Sequence, residues 1–484
     1  MMFDKNTGMK INKVLFDKKA IKINTLVGAD KLFTDLEQAI TETEYIVVNN
    51  SMHDYWVEQA IMTFLNRYKI FIEAYFTDMG TKYGTTYIKL KNKRKSVDDA
   101  GYSELETSYS EDYYLNDCGG FDDFKKSNGK VIDQRLQDVF YLVNPSKDEK
   151  ILDIGCGRGE LTYALAATGA DVIGVDYSEA AIKIAQKTYR GGVNNLKYIR
   201  EDIFRMGNLD TFDKIVMADV VEHIEQEVLE KIFEKISRSL NKTGILVIHT
   251  APNKNYYEVT YPGLRKQAAN IGYYLPENPR SYYEQLMHIN EQSPEKLKQT
   301  LVKFFPYVKV WTGSVEEMNA NKALTESQKD NQIFAYASNE KEALEAIMGE
   351  IAGTDEKPEA DCCKVFIEAD DFKTLSEGTG NEYIDVTIEN LGDELITSRR
   401  KCPVYLAYHI LSQNGDMLLF EGERTKITEL IRPGMKKELK MKVVIPEGLE
   451  KEKRYIVRIT CVAEGFFWFD GNGENKRDII MTVE

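Results

Sequence analysis

The chain has 484 residues, 43% of them hydrophobic, which is enough to bury two or three separate cores. Its net charge of −15 argues against the basic surface of a nucleic-acid binder. No apolar run approaches the length of a bilayer, and the opening MMFDKNTGMKINK lacks the charged-then-apolar pattern of a secretory leader, so a cytoplasmic protein with no transmembrane segment is expected. The six cysteines (Cys118, Cys156, Cys362, Cys363, Cys402 and Cys461) show no zinc-type spacing and read as reduced thiols.

Residues 1–90 alternate short apolar runs with helix-like segments. TEYIVVNN, KIFIEAYF and TTYIKLK read as strands and DYWVEQAIMTFLNRY as a helix, giving a small α/β domain without an assignable motif. Tyr55, Trp56, Phe64 and Tyr68 are its expected core aromatics. Residues 91–130 form a charged linker and lead-in, basic at first and then acidic. A helix, VIDQRLQDVFYLV, follows.

Residues 131–338 read as a doubly wound α/β sheet. In ILDIGCGRGEL, residues 151–161, an apolar strand ends in an acid, and Gly155, Gly157 and Gly159 follow at alternate positions before a helix. A second strand, VIGVD, ends at Asp176, roughly twenty residues on, where a ribose-binding acid belongs. Ser178 can cap the next helix. LKYIRED, DKIVMAD and GILVIHT supply strands three to five, and VKVWTG with NQIFAYAS closes the sheet. A ligand is expected across the carboxyl ends of the strands.

These residues resemble the class I S-adenosylmethionine-dependent methyltransferases, whose first motif, D-x-G-x-G-x-G, is matched by Asp153, Gly155, Gly157 and Gly159. The resemblance covers about residues 110–338 and implies a Rossmann-like fold that binds S-adenosylmethionine. It implies that Asp176 holds the ribose hydroxyls and that Asp202, with the backbone at Ile203, meets the adenine. Asp153, Gly155, Ala218 and Asp219 would face the amino-acid end. Cys156, Tyr177 and Ser178 would line the same site, and the lead-in would bring Tyr114 or Arg135 to the methionine end, unless it is only a solvated helix face. The competing reading is a dinucleotide site built on the same turn. A dehydrogenase would show Gly-x-Gly-x-x-Gly and a hydride-transfer constellation, and neither is apparent.

Methyl transfer to a hydroxyl needs a base for the departing proton. Of the five histidines, His53 and His409 lie outside the methyltransferase segment; His223, His249 and His288 are the candidates. Asp219, Glu222 and His223 form an acid-x-x-Glu-His pattern, similar to one in ubiquinone-type O-methyltransferases, where a divalent ion orients the acceptor. The metal therefore stays open, against a role for Glu222 in orienting His223. Between the fifth strand and the closing pair lies a long insertion with Tyr256, Tyr257, Tyr261, Tyr273, Tyr274, Tyr282 and Tyr283, read either as a substrate cover or as an insertion with its own aromatic core.

Residues 339–361 read as a helix and then a charged linker. In residues 362–484 the texture changes to seven short strands separated by turns, the pattern of an antiparallel β-sandwich. FEGERT, RPG and EGFFWFDGNG resemble, loosely, sugar-binding sandwich domains attached to enzymes and exporters of bacterial surface polysaccharides. That resemblance implies a glycan partner, with Trp468 and Tyr408 as stacking residues, against a core position for Trp468. The expected activity is methyl transfer to an oxygen of a saccharide or saccharide-linked precursor. A phenol or lipid-like acceptor and a non-catalytic glycan-binding scaffold remain the alternatives. Nucleic acid is disfavoured, since ADVVEH stands where an Asp-Pro-Pro-Tyr-like motif would serve exocyclic amines.

Overall fold

The computed structural model describes residues 2–3, 10–11, 19–49, 54–78, 84–92, 109–207, 209–320, 324–353, 359–360, 363–375, 382–400, 402–428, 430–444, 446 and 449–483. Residues 93–108 of the expected 91–130 linker, together with His53 and Cys362, lie outside these residues. The chain divides into two compact units, residues 1–133, 147–313 and 320–340 in the first, and residues 134–146, 314–319 and 341–484 in the second.

The first unit is built on a seven-stranded sheet. Its strands run in the order Tyr307–Thr312, Ile333–Ser338, Leu240–Thr250, Phe212–Ala218, Lys150–Ile154, Asp171–Asp176 and Leu196–Arg200. The five strands from Leu240–Thr250 to Leu196–Arg200 are parallel, and the closing pair is antiparallel. This is the expected Rossmann-like arrangement. The parallel strands are apolar because helices cover both faces, as Ile151, Leu152, Ile215, Val216, Leu246 and Val247 show by their burial. Strand order reverses between Lys150–Ile154 and Phe212–Ala218, which opens the crevice beyond their carboxyl ends.

The same unit holds a four-stranded sheet, Ile21–Asn24, Tyr45–Asn49, Thr85–Leu90 and Ile72–Asp78, with helices Ala29–Glu42 and Tyr55–Arg67. Phe64 and Tyr68 are buried as expected, whereas Tyr55 is exposed. This core is completed by Tyr274, Tyr283, Leu286 and Met287 from the insertion.

In the second unit a three-stranded sheet, Val365–Ala369, Glu382–Asn390 and Lys436–Val443, shares one apolar core with a second sheet containing Val404–Ser412, Arg454–Ala463 and Lys476–Val483. Among the described residues the pairing departs from the antiparallel expectation where Phe372–Leu375 runs parallel to Lys476–Val483. Helices Gln134–Val143 and Lys341–Ala352 belong to this unit and are tied together by the Tyr141 hydroxyl on the Ile351 carbonyl at 3.0 Å.

Candidate active site

The first strand delivers Asp153 to the sheet edge with 2% of its surface exposed, and its Oδ2 accepts from the Thr162 hydroxyl at 2.6 Å. Burial pushes the Asp153 carboxyl up to about 7, with the Thr162 bond acting against it. The turn that follows needs glycine twice over. Gly155 has φ 71°, and a Cβ there would sit 2.5 Å from a Val220 methyl; Gly159 has φ 85°, and a Cβ would sit 2.6 Å from the Tyr198 hydroxyl. The Asp176 carboxylate closes the turn, with Oδ2 accepting from Gly157 N–H at 3.0 Å and Oδ1 from Ser178 N–H at 2.8 Å. Burial raises its pKa to about 6 against those two bonds. Ser178 caps the helix Glu179–Thr188, as its position predicted. Cys156 is buried, and burial holds its thiol well above the ordinary range, which suits a space-filling role rather than a nucleophile.

The lead-in segment packs over this turn. The buried Tyr114 ring lies 3.7 Å from where a Gly157 Cβ would be. It is held by Arg158, a residue the motif reading passed over. Arg158 donates to the Tyr114 carbonyl at 2.7 Å, to Cys118 at 3.3 Å and to Gly119 at 2.5 Å, while pairing with Glu160. A cation between two turn glycines has few other ways to satisfy its donors, and that was the available signal. Tyr109 was also missed. Its carbonyl accepts from the Ser178 hydroxyl at 2.9 Å, and its ring lies edge-on to Tyr177 at 5.2 Å and His223 at 6.0 Å, so it joins the turn after the second strand to the histidine cluster. Arg135 sits on the helix Gln134–Val143 and belongs to the second unit, whereas the other expected cofactor residues belong to the first.

After the third strand, Asp202 Oδ1 accepts from Phe204 N–H at 2.9 Å and so shapes the loop that carries Ile203. Lys235 anchors that loop from the helix Gln226–Ser239, donating to the carbonyls of Ile203 at 2.9 Å, Phe204 at 3.2 Å and Met206 at 2.5 Å. Lys235→Met strips three carbonyls of one charged donor. It is expected to weaken S-adenosylhomocysteine binding by roughly 3- to 10-fold, read by calorimetry, with the fold retained. Unchanged affinity would show that the loop holds its shape without the lysine.

The fourth strand ends at Ala218, and Asp219 follows in the left-handed region with φ 53°. Its carboxylate lies 2.7 Å from Nδ1 of His249, which has no exposed surface. Next, the short turn Val221–His223 presents two side chains. Glu222 is buried; its Oε2 accepts from the Thr250 hydroxyl at 2.8 Å, and its Oε1 has no hydrogen-bond partner. Burial raises its pKa, while His288, Thr250 and His249 oppose the shift.

Nδ1 of His223 lies 3.2 Å from the Met287 carbonyl. Burial and then the charge of His288 push this imidazole down to about 3, so it stays neutral. A carbonyl only accepts, so the proton belongs on Nδ1 and Nε2 keeps its lone pair. His288 follows the helix Tyr282–Met287, with its ring 4.7 Å from that of His223 and its Nδ1 3.8 Å from Glu291. Burial lowers its pKa, but Glu291, Glu222 and Glu284 together raise it.

Glu222, His223 and His288 each offer one ligand atom, all within 4.8 Å of one another. The structure thus brings His288 to the pair Glu222 and His223, while the Asp219 carboxylate meets His249. Of the insertion tyrosines, Tyr274 and Tyr283 are core residues of the N-terminal layer, and Tyr261 is buried with its hydroxyl on the Pro276 carbonyl.

Residues 145–338 match the family model described as a methyltransferase domain. The chain is 36% identical over 120 residues to a mitochondrial ubiquinone biosynthesis O-methyltransferase of Schizosaccharomyces pombe, covering 24% of this chain and 42% of that protein. It is 30% identical over 167 residues to the ubiquinone biosynthesis O-methyltransferase of Mesorhizobium japonicum, covering 32% and 65%. A cyclopropane-fatty-acyl-phospholipid synthase of Escherichia coli is 30% identical over 142 residues, covering 29% and 34%. The chain thus spans under two thirds of each of these relatives.

Proposed function

We propose that the protein is an S-adenosylmethionine-dependent methyltransferase acting on an oxygen of a saccharide or saccharide-linked precursor. The observation that carries the chemistry is the geometry at the end of the fourth strand, where His223, with Nδ1 on the Met287 carbonyl and Nε2 left to accept, stands beside Glu222 and His288. Asp176 would hold the ribose hydroxyls of S-adenosylmethionine, Asp202 and Ile203 would meet its adenine, and Asp153 with the backbone of Gly155 and Ala218 would meet its ammonium end. In the transfer, the acceptor oxygen bonds to the methyl carbon as the carbon–sulfur bond breaks. Its electron pair returns to sulfur, which becomes a neutral thioether. The hydroxyl proton passes to Nε2 of His223. Placing the oxygen about 3 Å from the methyl carbon, in line with the sulfur, supplies much of the acceleration.

A divalent ion fits the same three side chains, because Glu222 Oε1 is buried without a hydrogen-bond partner and one carboxylate with two imidazoles suits a borderline cation. Bound there, it would polarise the acceptor hydroxyl.

For the acceptor, the sandwich supports the saccharide reading through an aromatic cluster. Trp468 is half-buried against the His409 ring at 4.2 Å and carries the Arg424 guanidinium at 4.8 Å, and Phe420 beside it is exposed. Tyr408 does not contribute, since it is fully buried in the core with its hydroxyl on Val444. The names of the ubiquinone-pathway relatives favour a phenolic acceptor as the second reading. Labelled methyl donor offered with glycans, nucleotide sugars and catechols separates them. Label in the sugars is expected; label in the catechols alone would overturn the saccharide assignment, and label in neither would favour a non-catalytic scaffold.

A further inference from the structure

The N-terminal layer does not close its own core. Its helices Ala29–Glu42 and Tyr55–Arg67 pack on Tyr274, Tyr283, Leu286 and Met287, which the chain supplies some two hundred residues later. Polar contacts accompany this packing. Arg67, in the last turn of its helix, donates to the carbonyls of Asn278 at 3.1 Å, Pro279 at 3.2 Å and Arg280 at 3.3 Å. It is steadied by Glu37 at 3.3 Å and lies 5.0 Å over the Phe33 ring. The Tyr55 hydroxyl donates to the Gly272 carbonyl at 2.6 Å, and that of Tyr274 to Asp30 at 3.0 Å.

What Arg67 grips leads straight to the histidines. Arg280, whose carbonyl it binds, pairs through its own guanidinium with Glu291, Nε to Oε1 at 2.7 Å, and Glu291 faces His288. Ser281 then opens the helix Tyr282–Met287 with a capping box on Glu284. That helix ends at Met287, buried in the N-terminal core, whose carbonyl accepts the hydrogen bond from His223 Nδ1–H. The tautomer of His223 and the place of His288 are therefore both set from one body.

We propose that the N-terminal α/β domain is a structural part of the acceptor site, holding the insertion so that Met287 and His288 meet His223, with Arg67 as the positioning residue. The proposal rests on reading the His223–His288 cluster as that site. The planar fork of arginine reaches three successive carbonyls, which a lysine ammonium cannot reproduce.

The test uses the full chain with carbon-13-labelled histidine, its ring signals assigned by single His→Gln variants. In Arg67→Met the His223 and His288 signals are expected to move or broaden while that of His409 stays. Amide exchange across residues 281–293 should rise about 10-fold or more, that of residues 150–200 should not change, and S-adenosylhomocysteine affinity should stay within about 2-fold. Arg67→Lys should restore the signals only in part. If Arg67→Met does not fold, Tyr55→Phe, which removes one surface bond to the insertion, should show the same changes in smaller measure. Unchanged His223 and His288 signals and unchanged exchange in the variants that fold would overturn the proposal. Full activity of a His288→Gln enzyme would instead sink the reading of the site and leave the latch standing.

Discussion

Replacing His223 with alanine is expected to lower turnover by about 10²–10⁴-fold, the scale of a lost general base, while S-adenosylhomocysteine affinity stays within about 2-fold. The split follows from the geometry. Asp153, Asp176 and Ser178, proposed to meet the cofactor, are fixed by bonds to Thr162, Gly157 and backbone amides, none of which involves the imidazole. His223 is instead anchored by the Met287 carbonyl on the acceptor side. Single-turnover measurement with a saturating methyl donor reads the loss directly. A chelator separates base from ion: activity lost on chelation and restored by magnesium or manganese supports ligation by Glu222, His223 and His288. Full activity of the His223→Ala enzyme would remove both roles and direct attention to His288, and then to His249 with its Asp219 partner.

The second large effect is expected at Asp176. Asp176→Ala should weaken cofactor binding by roughly 1.5–3 kcal/mol, since hydrogen bonds to a charged group are lost and the buried amides of Gly157 and Ser178 lose their acceptor. The same carboxylate makes binding sensitive to pH. Burial raises its pKa to about 6 in the free protein, well above the usual carboxylate range. The sign follows from linkage: a raised folded-state pKa contributes stability at low pH that is lost as pH rises through about 6, so at pH 7.5 the free protein carries the cost of a buried charge. Ribose hydroxyls donating to the ionised carboxylate, as proposed, would offset that cost. The thermal shift induced by S-adenosylhomocysteine should therefore be larger at pH 7.5 than at pH 5.5, and the difference should shrink in Asp176→Ala. Equal shifts at both pH values in the native chain would show that Asp176 is ionised throughout.

The features legible in the sequence were those written locally. The glycine turn, Asp153 and Asp176 near the ends of the first two strands, the Ser178 cap and the strands of the doubly wound sheet all follow from short-range rules about backbone and periodicity, whereas the strand order and the antiparallel closing pair are read from the fold. Contacts made across long stretches of chain were not legible. Nothing near Arg67 announces that it will hold carbonyls at 278–280, and nothing near Lys235 announces a loop at 203–206. His288 was singled out only as one histidine among several. Its position beside Glu222 and His223 depends on a core shared between the N-terminal layer and the insertion, and no spacing rule reaches across some two hundred residues. The acid-x-x-Glu-His pattern was real as a pattern, yet the left-handed backbone at Asp219 sends its carboxylate to His249. In the sandwich, alternation found the strands but not their partners, so the parallel pairing of Phe372–Leu375 and the burial of Tyr408 could be read only from the fold.

Calorimetric titration of the purified chain with S-adenosylhomocysteine, beside a matched titration with NAD, tests the central claim most directly. One-site saturable binding of the first is predicted, weakened roughly 10- to 150-fold by Asp176→Ala, the equivalent of the free-energy loss above, with no binding of the second. Saturable NAD binding in a chain that ignores S-adenosylhomocysteine would contradict the account.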